Sequence, residues 1–165
     1  MKEFDFRTIR LDEIEQAVEI EQICFPPNEA CTKEAMTRRI NKDKDDFFVA
    51  VDKETGLIAG FINGLATKEI SFRDEFFTQE ELYDEKGDNI MILGLDVLPE
   101  YRMQGLARNL VSKYGELQLK RGRKYLTLTC LDSRVPMYKK FGFEDLGQAN
   151  STWGGEAWHE MRKNL

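Results

Sequence analysis

Histidine occurs once in this 165-residue chain, at position 159, and cysteine three times, at positions 24, 31 and 130. No two cysteines form a CxxC, so neither a disulfide framework nor a structural zinc site is expected, and no metal ligand set stands out. Such thiol usage suits a reducing, cytoplasmic compartment. Proline is scarce, with four residues. No linker rich in Pro, Gly or Ser and no internal repeat interrupts the chain, which predicts one domain over residues 1–165. The longest near-continuous apolar run, Ile90 to Val97, falls well short of the ~20 residues that span a bilayer. The opening MKEFDFRTIR lacks the apolar core of a secretory leader. Positive charge is in deficit, with 24 Lys and Arg against 30 Asp and Glu for a net charge of −6. That balance argues against partners held by bulk charge, whether nucleic acid or an anionic membrane. What the chain does have is aromatics, 11 Phe, 5 Tyr and 2 Trp, enough to exclude disorder. It is also long enough to bury roughly two thirds of its unfolded surface without staples.

Periodicity then divides the chain. Phe4 to Arg10 alternates as a strand. Asp12 stands three before Glu15, a capping-box-like helix start, and Leu11, Ile14, Val18 and Phe25 follow at helical spacing until Pro26-Pro27 ends the helix. Thr32 is placed to cap a second helix through about Ile40. DFFVAV (46–51) and LIAGFINGL (57–65) read as a hairpin. The charged stretch 66–89 carries Phe72, Phe76, Phe77, Leu82 and Tyr83 and reads as a lid or short helix. Ile90 to Leu98, apolar on both faces, is a central strand. A helix from Leu106 to near Gly122, a strand at Tyr125–Cys130, a short helix at Val135–Phe141 ended by Gly142, and closing strands at 143–146 and 157–161 complete the order β-α-α-β-β-β-α-β-α-β-β. This is an α/β domain with a mixed sheet.

The informative unit is ILGLDVLPEYRMQGLARNLV, in which a buried strand runs through a one-glycine loop into a helix. The first four amides of a helix lack internal partners and the macrodipole is positive there. With small residues at Gly105 and Ala107, that spot admits a phosphate. A lone glycine by itself reads first as an ordinary turn signal. A P-loop is excluded because GxxxxGK[ST] is absent, and a dinucleotide fingerprint because the loop has one glycine where GxGxxG needs three.

Arg102-Met103-Gln104-Gly105-Leu106-Ala107 resembles the [QR]-x-x-G-x-[GA] signature of the GNAT N-acetyltransferases. Val135-Pro136-Met137-Tyr138-Lys139-Lys140-Phe141-Gly142-Phe143 resembles the same family's later YxxxGF segment. Cys130 to Tyr138, Ala17-Val18-Glu19-Ile20-Glu21, Thr78-Gln79-Glu80-Glu81-Leu82 and Glu160-Met161 are similar to its arylalkylamine N-acetyltransferase branch. The resemblance implies a GNAT fold, with a mostly antiparallel sheet of about seven strands flanked by helices. Splayed central parallel strands would hold acetyl-coenzyme A.

By the same resemblance, Arg102, Met103, Gln104, Gly105, Leu106, Ala107 and Arg108 hold the pyrophosphate, and the backbone of Leu95, Asp96 and Val97 pairs with the pantetheine arm. A donor amide there can polarise the thioester carbonyl. Tyr138 matches the tyrosine that contacts the coenzyme and protonates the departing thiolate, a fitting acid because phenol and thiol reference pKa values, ~10 and ~8.5, are close. Vertebrate members of the branch carry two histidines where this chain has Met91 and Leu93. Insect members place a catalytic glutamate in the loop matched by Asn28-Glu29-Ala30-Cys31, which makes Glu29 the candidate base; its alternative is a solvated loop acid. His159 lies outside the matched positions. Asp132 either holds water or caps the Val135 helix. Phe25, Glu29, Met91 and Leu93 are the candidate acceptor-binding residues, and Phe72, Phe76, Phe77 and Tyr83 are either pocket wall or core. The implied activity is acetyl transfer to a small primary, aryl-alkyl-type amine by direct attack in a ternary complex, by a monomer or homodimer. Peptide N-terminal acetylation and non-catalytic acyl-coenzyme A binding are the alternatives.

Overall fold

The computed structural model describes residues 2–165, apart from the side chain of residue 80. Seven strands and four helices follow the order read from periodicity. They are β1 (Phe4–Thr8), α1 (Ile14–Cys24), α2 (Lys33–Lys42), β2 (Phe47–Asp52), β3 (Ile58–Thr67), β4 (Asn89–Val97), α3 (Leu106–Lys120), β5 (Tyr125–Cys130), α4 (Val135–Lys140), β6 (Glu144–Gln148) and β7 (His159–Asn164). The strands lie in a seven-stranded sheet in the order β1-β2-β3-β4-β5-β7-β6. Of the pairings described, only β4 with β5 is parallel. Among the described residues no helix is long and apolar enough to cross a membrane.

The chain forms two compact units, one made of residues up to Asn63 with Gly94–Tyr114, the other of Gly64–Leu93 with Gly115–Leu165. In the first, α1 and α2 bury Ala17, Val18, Ile20, Met36 and Ile40 against Phe47, Val49, Val51, Ile58 and Phe61 of β2 and β3. α2 begins where Thr32 accepts the Ala35 amide at 3.1 Å. α1 starts differently from the Asp12–Glu15 expectation. A 3-10 turn over Leu11–Glu13 precedes it, and the acid that accepts the Arg10 amide, at 2.9 Å, is Glu13. Glu13 also holds Arg7 through two bonds of 2.8 and 2.7 Å. The α1 end is as expected, with extended Phe25 just ahead of the two prolines.

In the second unit β5 pairs with β7 over its whole length, and β7 with β6. The parallel β4–β5 ladder covers only Asn89–Tyr125, Ile90–Leu126 and Met91–Thr127. Beyond Met91 the two strands share no described pair, whereas the pairing of β5 with β7 continues to Cys130. The 66–89 stretch is neither disordered nor a regular helix. β3 runs on to Thr67, and two 3-10 turns follow, at Asp74–Phe77 and Glu80–Leu82. Phe72 and Phe76 from this stretch form a small core with Leu65, Met91 and Leu93, joined by Phe77, Leu82 and Tyr83. Five apolar side chains in a charged segment are therefore what anchors it.

Candidate active site

The first unit carries the predicted phosphate loop. Tyr101 and Arg102 close a 3-10 turn, their amides going to Leu98 and Pro99. Met103 then takes φ 65° and Gly105 φ 78°. At the α3 start the Asn109 amide returns to the Gly105 carbonyl at 3.0 Å. Among the described residues, the amides of Met103, Gln104, Gly105, Leu106 and Ala107 have no backbone acceptor. Left-handed residues alternating along such a turn curl the amides into a concave nest, and the helix dipole adds to its positive potential. A Cβ added to Gly105 would meet nothing within 4 Å, so the space over the loop is open. Leu106 is buried and anchors the turn, while Met103 stands out in solvent. These residues fit a diphosphate.

Upstream, Val97 presents its carbonyl to Arg102 Nε at 2.9 Å and to Cys24 Sγ at 3.3 Å. That carbonyl is taken by the chain itself, so any arm pairing with Leu95–Val97 must use other main-chain groups, with Leu95 and Val97 partly exposed and Asp96 buried. Burial raises the Cys24 thiol pKa, opposed by nearby Arg102. Phe25 and Glu29 are partly exposed, and the Glu29 amide closes a turn on Pro26 at 2.9 Å. Glu29 is thus on a tight turn after α1, fixed by the two prolines.

The second unit carries Tyr138, Met91 and Leu93. Tyr138 is half-buried on α4, its ring edge-on to Phe141 and Phe143 with centroids 6.0 and 5.6 Å away. The Tyr138 carbonyl takes the Phe143 amide at 3.0 Å as the helix ends, and Gly142 turns the chain with φ 97°. Met91 is 0% and Leu93 9% exposed, and both pack with Phe72 and Phe76. Of the two readings of the aromatics, Phe72 and Phe76 are core.

Asp132 does not cap α4. The N-cap is Arg134, without a side-chain bond, because a 3-10 turn at Asp132–Arg134 intervenes. Asp132 lies instead 3.2 Å from His159 Nε2, and Asp145 lies 3.2 Å from His159 Nδ1. A cleft of about 780 Å³ opens beside Lys68, Phe72, Arg73, Leu146 and Glu160. Its acids are engaged, Glu69 by Arg73 and Glu160 by the Phe72 amide.

Sequence reasoning missed a polar cluster in the first unit. Glu21, Asn63 and Asp96 are buried around Gly94. The available signal was an acid inside the most apolar strand, at Asp96, and a second acid on the buried face of α1, at Glu21.

Among the pairings described the parallel one is β4 with β5, and β4 leads through a 3-10 turn into the start of α3. The chain belongs to the acetyltransferase (GNAT) domain family, whose model matches residues 13–165. It is 36% identical over 80 residues to the thialysine N-epsilon-acetyltransferase of Bos taurus, a match covering 47% of this chain and 44% of that protein. The match thus spans less than half the relative's length. Among solved structures, the GphF GNAT-like decarboxylase in complex with isobutyryl-CoA superposes with a TM-score of 0.79 at 16% identity, covering 97% of this chain and 98% of that one. The phosphinothricin acetyltransferase of Sinorhizobium meliloti in complex with AcCoA gives a TM-score of 0.70 at 15% identity, with 98% and 88% covered. At such identities the two likenesses show the fold.

Proposed function

We propose that the whole chain acts as one acetyl-coenzyme A-dependent N-acetyltransferase for a small primary amine, working by direct attack in a ternary complex. The observation that carries this reading is the run of unpaired amides from Met103 to Ala107, wound by left-handed Met103 and Gly105. A diphosphate supplies acceptors for several such donors at once, and each charged hydrogen bond of this kind is stronger than a neutral one. The coenzyme, when bound, supplies the acetyl thioester. Main-chain groups of Leu95–Val97 orient its arm, and Arg102, already bonded to Val97, keeps loop and strand end in register. Tyr138 supplies the proton that the departing thiolate takes up. Glu29, on the tight turn after α1, is the candidate to orient the acceptor ammonium. A small amine is supported by the thialysine relative, whose acceptor is an N-epsilon amine. The arylalkylamine branch is supported by the quoted segments, with Met91 and Leu93 in place of its histidines.

The test is thiol release from acetyl-coenzyme A by the purified chain across a panel of alkyl, aryl-alkyl and lysine-like amines, with short peptides alongside. Turnover on a small amine and none on peptides supports the reading. Turnover on peptides alone overturns the substrate class. Coenzyme binding with no turnover on any acceptor turns the chain into an acyl-coenzyme A-binding protein.

A further inference from the structure

The most apolar strand of the chain carries an acid at a fully buried position. Asp96 is 0% exposed, and neither of its carboxylate oxygens has a hydrogen-bond donor. Glu21 on α1 is 5% exposed, and its Oε2 accepts the Cys31 amide at 3.0 Å. Asn63 on β3 is 2% exposed and leaves both amide atoms unpartnered. The three converge on one point. A Cβ built on Gly94 would stand 3.1 Å from Asn63 Nδ2, 3.2 Å from Asp96 Oδ1 and 3.7 Å from Glu21 Oε1. Gly94 itself is partly exposed, so the missing side chain leaves a polar recess beneath a strand position that solvent reaches.

Packing alone does not account for this recess, since apolar side chains of the same volume fill such a site at lower cost. A metal does not account for it either, because no metal-binding group of three or more acids, cysteines or histidines exists among the described residues. The polar atoms left over are those that hold a proton or a water: two carboxylates to accept and one amide to do both.

We propose that Glu21, Asp96 and Asn63 form a proton-accepting recess which, through one water seated over Gly94, takes the proton that the acceptor ammonium must lose before it attacks. The inference rests on the acetyltransferase reading and names the group that takes the proton. The ammonium gives one proton to the water, and the water gives one to a carboxylate of the pair. The amine gains its lone pair and one carboxylate becomes a carboxylic acid. After the product leaves, the acid returns the proton to solvent by the same route. Glu21, Asn63 and Asp96 act through water and are positioning residues in this scheme.

The electrostatics agree. Burial first, then the neighbouring Glu21 charge, hold the Asp96 carboxyl well above the usual carboxylate range. A carboxyl held up in this way keeps a proton where an ordinary carboxylate has lost it. The other groups facing Asp96 are Cys24 from α1 and Cys31 from the segment ahead of α2. Burial pushes Cys31 up to about 11, opposed by Arg39 of α2, and raises Cys24 against Arg102. Both thiols are neutral at physiological pH, and neither competes for the proton.

The test compares the wild type, Glu21→Gln, Asp96→Asn and Glu29→Gln on two acceptors, an alkylamine protonated at neutral pH and a hydrazine whose free base predominates there. Expected is a loss of about 100-fold in kcat/KM for Glu21→Gln and Asp96→Asn on the alkylamine, with the hydrazine rate nearly kept and coenzyme affinity unchanged. A merely structural role lowers both acceptors alike, and that result overturns the proposal. So does a selective alkylamine loss in Glu29→Gln alone. The readout without turnover is infrared: a protonated carboxyl stretch at neutral pH, absent in Asp96→Asn. Its absence from the wild type also overturns the proposal. A wild type that binds coenzyme yet releases no thiol with any acceptor overturns the enzyme reading itself. Turnover without acceptor discrimination overturns only the recess.

Discussion

The Tyr138 ring is braced edge-on by Phe141 and Phe143, which fixes the ring while the half-buried side chain keeps some access to solvent. Tyr138→Phe keeps that packing and removes only the hydroxyl. Turnover is expected to fall by about 100-fold, the usual worth of one positioned acid, with coenzyme affinity within a few fold in calorimetry. Unchanged turnover removes Tyr138 from the mechanism. Glu13 illustrates the stability side. It is buried, holds both Arg7 nitrogens and accepts the Arg10 amide, and the Arg7 bond holds its carboxyl below the usual range. Glu13→Gln loses a charge-assisted fork and is expected to cost about 1–3 kcal/mol in urea unfolding. A change within a few tenths shows that the fork is not structural. Tyr138 stands out in the sequence because its neighbours form a motif. Glu13 was not legible there, since Asp12 and Glu15 offered the more regular capping spacing. Nor was the approach of Glu21 and Asn63, which meet at a glycine distant in sequence.

At the scale of elements, the turn into α3 makes the sharpest case. Gly105 has φ 78° and Gly122 φ 86°, and a Cβ at either would meet open space. Alanine at each position therefore carries the same left-handed strain, of order 1–2 kcal/mol, and no clash. Only the Gly105 site belongs to the unpaired amides. Gly105→Ala is expected to weaken coenzyme binding at least tenfold, while Gly122→Ala loses comparable stability and no affinity. Equal affinities for the two variants would remove the loop from coenzyme recognition. The hairpin, the Thr32 cap and the helix stops at Pro26-Pro27 and Gly142 were legible because each rests on local chemistry. Strand ends slid by one to three residues, as at β7, where pairing with β5 decides the limits. The stretch from Ala66 to Asn89 was ambiguous because Phe72 and Phe76 have no period of their own. Their place is set by Met91 and Leu93, which they cover.

For the whole molecule, the net charge of −6 hides two sets of acids with opposite effects on stability. Glu13, Asp52, Glu69, Asp84 and Asp145 all lie below the usual carboxylate range. The leading causes are Arg7 at Glu13, the Tyr101 hydroxyl at Asp52, Arg73 at Glu69, and the amides of Lys86 and Gly147 at Asp84 and Asp145. In the acid range the folded chain binds fewer protons at these sites than the unfolded chain. Their stabilisation is complete above the unfolded values of ~3.9 and ~4.3 and drains away as pH falls through the depressed folded values. Asp96 has the other sign. Its folded pKa is raised, so its contribution is complete below the unfolded value of ~3.9 and is lost as pH climbs towards the raised one. The thermal midpoint is therefore expected to rise from strong acid, pass a maximum in mildly acidic buffer and decline towards neutrality. Asp96→Asn should flatten the neutral side of that curve and leave the acid side unchanged. Scanning calorimetry of both proteins from pH 3 to pH 8, at roughly constant ionic strength so that screening is fixed, decides the matter. Parallel curves for the two proteins would mean that Asp96 ionises as freely in the fold as in the unfolded chain, and the recess beneath Gly94 would then hold no proton.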